Sequence, residues 1–290
     1  MNAIKNILIT GATSYTGQNL AKYLESQNFK IFSLIRKSSE IKIIKKLEKI
    51  STCLYGNNYK SIKKILDKNK IDCVIHLAAV SKYVYAPEEI GDIMESNIKL
   101  GATLLEAMSR SNCNRFINFG TSLQDDTHKT PSCLYAALKQ SFEDILKFYS
   151  TNHKINFISL RLTDICGPND PRQKFLSYLK KYQEGVSIAM TEGNQEINLI
   201  HIDDVMLAVN IALNIVDNSS HNNSPYYVYG NETLSLKQIV DIYRKQSGKN
   251  LKINWGKLPY RQNQMMQLNL GQPLPKFKAK YHIKDFITTL

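Results

Sequence analysis

The chain has 290 residues, of which 43% are hydrophobic and 22% charged, the balance of a globular protein long enough to bury a large core. No apolar run approaches the roughly 18 residues that cross a bilayer, and the first residues enter a strand and glycine turn without the apolar core of a signal peptide, so a cytoplasmic protein with no membrane insertion is expected. The formal net charge of +13 argues for anionic small substrates rather than nucleic acid, because the lysines are spread over helix faces such as KIIKKLEK and SIKKILDKNK without interleaved aromatics.

Apolar runs predict strands at NILIT (6–10), KIFSLI (30–35), TCLY (52–55), DCVIHLA (72–78), RFINFG (115–120) and INFISLR (155–161). Amphipathic stretches between them predict helices: NLAKYLESQ, SIKKILDKN, and longer ones near 92–112 and 133–151. Such alternation, with strands nearly continuous in Val, Ile, Leu and Phe, predicts an α/β fold built on a Rossmann doubly wound parallel sheet. The rhythm breaks after Arg161, and strands are expected to become rarer. GPNDP (167–171) reads as a loop, followed by a helix near 173–184. Asp203 is expected to cap the helix DVMLAVNIAL. YYVYG (226–230) reads as a strand whose rings pack in the core. A helix starting at Ser235 and ending at Gly248 follows. The prolines at 259, 273 and 275 mark an irregular segment closed by a short terminal helix. The expected organisation is a Rossmann domain over 1–166, to which about 199–230 returns, and a smaller lobe over 167–290.

The five cysteines are odd in number, widely spaced and free of C-x-x-C pairs, so buried thiols are expected rather than disulfides or zinc. His76 on an apolar strand reads as a satisfied core histidine. His201, Asp203 and Asp204 suit a helix start better than a metal, and no metal site is expected.

GATSYTG (11–17) lies between the first strand and helix. Gly11 suits the strand-end turn and Gly17 lets the helix pack on the sheet, while the helix start directs N–H groups and a positive dipole end at a phosphate. Gly11, Thr13, Ser14, Tyr15 and Gly17 are therefore the candidate pyrophosphate seat, with Ser14 in the middle-glycine position. The second strand ends in Arg36, Lys37 and Ser38, with no acid before Glu40. A guanidinium there binds a ribose 2′-phosphate, whereas an acid would favour the bare 2′-hydroxyl. The cofactor expected is NADP(H), with Arg36 the main discriminator and the Ser14 hydroxyl a further 2′-phosphate contact. In LYAALKQSFEDIL, Tyr135 and Lys139 are spaced i, i+4 on one helix face. An ammonium beside a phenol is expected to lower the tyrosine pKa into a range useful for acid–base chemistry. Thr121 and Ser122 fall at the carboxyl end of the fifth strand, where open α/β sheets bind ligands.

With these motifs in order, TGATSYTG, VIHLAAVS, NIKLGATLLEA, INFGTS, YAALK, RLTDICGPND and LIHIDDV, the chain resembles the extended short-chain dehydrogenase/reductase family, in its nucleotide-sugar epimerase/dehydratase/reductase branch. Within that branch it is most similar to nucleotide-linked 4-keto-6-deoxysugar 4-ketoreductases of the CDP-abequose synthase type. The resemblance implies Tyr135 as catalytic acid/base and Lys139 as its partner, which also holds the nicotinamide ribose. It implies Ser122, backed by Thr121, as the hydroxyl that orients the sugar carbonyl. It places Ala78 and Ala79 beside the cofactor with Asn97 on the following helix, and Arg261 on the nucleotide diphosphate. Three positions depart from the pattern: Ser14, Asn57 in place of an aspartate near the adenine, and Ile197 where many members carry a diphosphate-binding arginine. Lys174 and Arg172 are candidates to replace that contact.

Family dehydratases place an Asp–Glu pair directly after the strand-end hydroxyl; here Leu123–Gln124 follow Ser122, and Asp125–Asp126 come too late. The implied activity is NADPH-dependent reduction of a CDP-, dTDP- or GDP-linked 4-keto-6-deoxysugar in surface-polysaccharide biosynthesis. A redox-neutral epimerase retaining NAD and a non-catalytic NADP sensor are the alternatives. A homodimer through the helices carrying Asn97 and Tyr135 is also implied. Arg36→Ala is expected to reduce the preference for NADPH over NADH by about tenfold or more, the loss of one charge-assisted bond of about 1.5–3 kcal/mol; titration of both nucleotides measures it, and an unchanged ratio removes Arg36 from this role.

Overall fold

The computed structural model describes residues 3–36, 50–54, 56, 58–124, 131–172, 175–180 and 186–289. Its first half runs β1 (Asn6–Thr10), α1 (Tyr15–Ser26), β2 (Lys30–Ile35), β3 (Ile50–Leu54), α2 (Tyr59–Lys68), β4 (Cys73–His76), α3 (Ile90–Met94), α4 (Leu100–Met108), β5 (Arg115–Thr121), α5 (Leu134–His153) and β6 (Asn156–Leu162). The second half adds β7 (Asp164–Cys166), α6 (Phe175–Lys180), β8 (Ser187–Ala189), β9 (Glu196–His201), α7 (Ile202–Ile215), β10 (Ser224–Val228), β11 (Thr233–Ser235), α8 (Leu236–Ser247), β12 (Lys252–Asn254) and α9 (Ile283–Phe286).

Seven strands form one sheet in the order β10-β6-β5-β4-β1-β2-β3, every neighbour parallel. Chain order runs outward in opposite directions from β1 and β4. Their carboxyl ends therefore open a crevice, the switch point at which doubly wound sheets bind ligands. Both faces are covered, as the unbroken apolar strands require. Ile7 and Ile9 of β1 join a core with Leu20 and Leu24 of α1 and Val205 and Val209 of α7. Leu8, pointing the other way, joins Val74, Leu104, Phe142 and Leu146 on the opposite face. The expected α/β Rossmann fold is thus found.

More strands follow Arg161 than expected, because they are short: β11-β9-β7 form a three-stranded sheet and β12-β8 a pair. α8 packs Leu236, Ile239 and Val240 with Leu176, Leu179 and Phe286 in a third cluster. It begins in a Ser235–Gln238 capping box and ends at Gly248, with φ at +68°. A correction concerns α7. Its cap is His201, whose Nδ1 accepts the Asp203 N–H at 3.3 Å, so Asp203 lies inside the first turn. Asp204 accepts the N–H groups of Lys280 and Tyr281, fastening the C-terminal segment to this helix. The Asp203 carboxylate accepts the Tyr281 hydroxyl at 3.2 Å, so both acids have partners in the C-terminal segment.

α1 approaches the sheet so closely that a Cβ on Gly17 would lie 2.2 Å from the Gly11 carbonyl oxygen. Gly17→Ala is therefore expected to cost about 1–3 kcal/mol by overpacking. Gly91→Ala, in α3 with nothing within 4 Å of the new carbon, should instead gain about 0.5–1 kcal/mol of helix propensity. Denaturant melts of the two variants give the comparison, and opposite signs are expected.

Candidate active site

The crevice between β1 and β4 is lined by backbone. Gly11, at φ +72°, turns the chain where a Cβ would come within 2.8 Å of the Ala78 nitrogen, so only glycine fits. Thr10 fixes the facing loop: its Oγ1 accepts the Ala78 N–H at 3.1 Å and bonds His76 Nδ1 at 2.8 Å. Burial, together with the nearby Lys139, holds the His76 pKa down at about 3. It is a neutral core histidine. Ala79 continues the same loop.

Ser14 caps α1, its Oγ accepting the Gly17 N–H at 3.0 Å. The Thr13 carbonyl accepts from Gln18 Nε2 at 2.9 Å. The remaining N–H groups at the start of α1 have no intrahelical acceptor, and the positive end of the helix dipole lies at this turn. Tyr15, the first residue of α1, donates its hydroxyl to the Pro168 carbonyl at 3.2 Å. Its ring lies under the Arg172 guanidinium, 4.9 Å from the ring centroid.

Asn97 occupies a π-helical turn, Glu95–Lys99, between α3 and α4. Its amide donates to the Ile93 carbonyl at 2.9 Å and to Val80 at 3.1 Å, tying the loop after β4 to the helix. The buried Asn97 Oδ1 has no partner among the described residues. A glycine cradle without room for side chains, an uncovered helix start and an orphaned buried acceptor together fit a dinucleotide lying across the switch point.

β5 delivers Thr121 and Ser122, both buried, to the same edge. The Ser122 N–H donates to Leu162 at 2.9 Å, and Thr121 Oγ1 accepts the Leu123 N–H at 3.3 Å. Tyr135 lies in the first turn of α5 and Lys139 one turn later, its Nζ 5.9 Å from the Tyr135 ring centroid. That nitrogen donates to the Phe119 carbonyl at 2.7 Å. Burial holds the Lys139 pKa at about 8, with Glu143 opposing the fall. The expected lowering of the Tyr135 pKa is not found. Burial, then Cys133, pushes it above its ordinary value, because the phenol is desolvated while the ammonium is directed at a strand carbonyl. Tyr135 is thus held as a neutral phenol rather than as a standing phenolate.

Arg261 is exposed, and its guanidinium stacks 4.4 Å from the Tyr83 ring centroid. Although 44% of Tyr83 is exposed, burial about its phenol raises the pKa, with Cys133, Asp164 and Tyr135 adding and Arg261 opposing. Tyr83 therefore connects Arg261 to the Tyr135 neighbourhood, a position that no pattern in VSKYVYAPEE had singled out. Thr10 was also missed, being an ordinary strand-end residue in the sequence. Arg172 is engaged by Asp170 through two bonds of 2.7 and 2.6 Å and donates to the Ile165 carbonyl at 3.1 Å. Ile197 packs against the third apolar cluster. Arg36 is exposed just beyond β2. Lys37, Ser38, Asn57, Asp125, Asp126 and Lys174 lie outside the described residues.

Fold and crevice define a Rossmann-type dinucleotide-binding protein, with the helix that carries Tyr135 and Lys139 packed on β5 beside the switch point. Residues 7–230 match the NAD dependent epimerase/dehydratase family, and the chain belongs to this family of extended short-chain dehydrogenases/reductases, enzymes that work with a nicotinamide dinucleotide. Among curated proteins it is 29% identical over 267 residues to a CDP-abequose synthase of Salmonella muenchen, covering 91% of this chain and 88% of that protein. A CDP-abequose synthase of Yersinia pseudotuberculosis is 26% identical, with 96% and 95% covered. Among solved structures, UDP-glucose 4-epimerase of Thermotoga maritima superposes with a TM-score of 0.82 at 17% identity, covering 98% of this chain and 96% of that one. That likeness is one of fold. Among the described residues no helix is long and apolar enough to cross a membrane.

The capping geometry gives Ser14 a role of its own. Ser14→Ala is expected to cost about 1 kcal/mol and Ser14→Gly only a few tenths, measured by denaturant melts without nucleotide. A collapse of Ser14→Gly would contradict this reading.

Proposed function

We propose that the protein is an NADPH-dependent reductase of the C4 ketone of a nucleotide-linked 4-keto-6-deoxysugar. The observation that carries this reading is that Tyr135 and Lys139 share one face of α5 and that Lys139 Nζ is bound to the Phe119 carbonyl of β5, the strand that ends in Thr121 and is followed by Ser122. The similarity to CDP-abequose synthases over nearly the whole chain supports the substrate class. Bound NADPH would supply the hydride. Gly11, Thr13, Ser14, Tyr15 and Gly17 would seat its pyrophosphate, Ala78, Ala79 and Asn97 would flank it, and Arg36, Lys37 and Ser38 would meet the 2′-phosphate. Ser122, with Thr121 behind it, holds the carbonyl oxygen by a hydrogen bond. Tyr135 gives its proton to that oxygen as negative charge develops there, and the Lys139 ammonium stabilises the phenolate left behind. Arg261 and Lys174 would grip the diphosphate. The working unit we infer is a cytoplasmic homodimer formed through the helices bearing Asn97 and Tyr135. Its Rossmann domain comprises 1–166 with 199–230, and its substrate lobe begins at 167.

Two features favour reduction over elimination or epimerisation. Leu123 and Gln124 follow Ser122, and Gln124 is buried, its Oε1 accepting the Thr121 N–H at 2.9 Å, so no acid stands where dehydratases carry their pair. The basic end of β2 favours an exchangeable NADPH. The second reading, an epimerase that keeps NAD bound and returns the hydride to the opposite sugar face, is supported by the family's NAD-dependent description.

Nucleotide-linked 4-keto-6-deoxysugars should consume one equivalent of NADPH per sugar reduced, followed by absorbance. Redox-neutral interconversion without added cofactor would establish the epimerase instead. Tyr135→Phe should lower kcat by at least about 100-fold, the contribution of a positioned proton donor, while NADPH binding persists.

A further inference from the structure

Behind the ends of β5 and β6 lies a charged pair that the proposed chemistry leaves unused. Arg161 of β6 and Glu143 of α5 have side chains only 2% exposed. Arg161 Nη2 donates to Glu143 Oε2 at 2.6 Å and Nε to Oε1 at 3.2 Å. Ser159 donates to the same Oε1 at 2.6 Å, which completes the carboxylate. On its other side Arg161 reaches the active-site turn: Nη1 donates to the Gln124 carbonyl at 3.0 Å, and the Gln124 side chain accepts the Thr121 N–H. On the helix, Glu143 lies one turn beyond Lys139 on the same face.

We propose that Glu143, locked by Arg161, is a positioning residue that supplies the negative charge behind Lys139 and joins its helix to the Thr121–Ser122 turn. This rests on the assignment of Tyr135 and Lys139 as the acid–base pair. Among the described residues, the groups around Lys139 are Tyr135 and Glu143 on its own helix, the Phe119 carbonyl on β5, His76 on β4, whose protonation Lys139 opposes, and the Arg161 guanidinium of β6, bound to the far side of Glu143. Of these only Glu143 carries a negative charge. A buried carboxylate at that place favours the ammonium form. Through Arg161 it also ties the helix that carries Lys139 to the turn after Thr121. Removing it leaves the lysine with desolvation and no compensating charge.

The test uses the protein without cofactor or substrate. Lys139 is titrated by NMR of side-chain-labelled lysine, its signal assigned by loss in Lys139→Met. In Glu143→Gln the midpoint should fall by about one pH unit; an unchanged midpoint overturns the proposal. Because Glu143→Gln leaves the Arg161 charge uncompensated, the double variant Glu143→Gln/Arg161→Met is measured beside it; a smaller fall in the same direction is expected there, and no fall at all overturns the proposal. Glu143→Asp keeps the charge and should hold the midpoint near that of the native protein. With substrate, the alkaline limb of kcat should move to lower pH in Glu143→Gln while KM changes less than twofold; a limb that stays in place while activity falls would mark a structural role alone and overturn the proposal. Should Tyr135→Phe retain turnover, the acid–base assignment fails, and the NMR titration still decides whether Glu143 sets the charge of Lys139.

Discussion

Two opposite charges sealed from water hold the centre of this molecule. Glu143 and Arg161 cannot be separated without leaving an ion buried and unpaired, a cost of about 3–5 kcal/mol. Their contact therefore fixes how α5 sits on β5 and β6. The register between the strands brings Gly120 opposite Arg161. A Cβ on Gly120 would lie 2.7 Å from Gln124 Oε1 and 3.2 Å from Arg161 Cγ. Glycine at 120 makes room for the polar cluster, and the cluster then holds the turn that begins one residue later. Tyr227 of β10 completes it, its hydroxyl donating to the Gln124 carbonyl at 2.9 Å. Four elements from distant parts of the chain are aligned by bonds that tolerate little displacement.

The cofactor side is organised differently, by close backbone approach rather than by charge. Gly11 and Gly17 remove side chains where β1, α1 and the loop after β4 converge. Thr10 ties that loop to the strand end, and Asn97 ties it to the next helix. The two constructions meet at Lys139, whose Nζ binds β5 and whose charge bears on His76 of β4. Contacts from the later chain reach the first half at two places, Tyr15 with Pro168 and Arg172, and Tyr83 with Arg261.

Much of the fold was legible because its signals are local. Apolar runs and amphipathic periods followed from burial on both sheet faces, and the six leading strands appear within a few residues of their expected bounds. The Ser235 cap and the Gly248 stop of α8 depend on residues within one turn of each helix end. The cap of α7 was misassigned because His201 can cap through its ring nitrogen, a rarer device than an aspartate. The short strands after Arg161 were underestimated because three-residue pairings leave too little periodicity to detect.

The sequence by itself determined the parallel α/β sheet, the glycine turn at its first strand and the shared helix face of Tyr135 and Lys139. Each of these is set by residue type and spacing over one or two turns. Only the tertiary structure decided the electrostatics and the partners. It showed burial overriding the ammonium at Tyr135, Asp170 engaging Arg172, Tyr83 stacked on Arg261, and Glu143 bound to Arg161 one turn beyond Lys139. Desolvation depends on what the whole fold packs around a group, and those partners lie up to 178 residues apart in the chain (Tyr83 to Arg261). Spacing along one segment carries no record of either. That is why GATSYTG is legible at once as a strand-to-helix glycine turn, and the charge behind Lys139 is not.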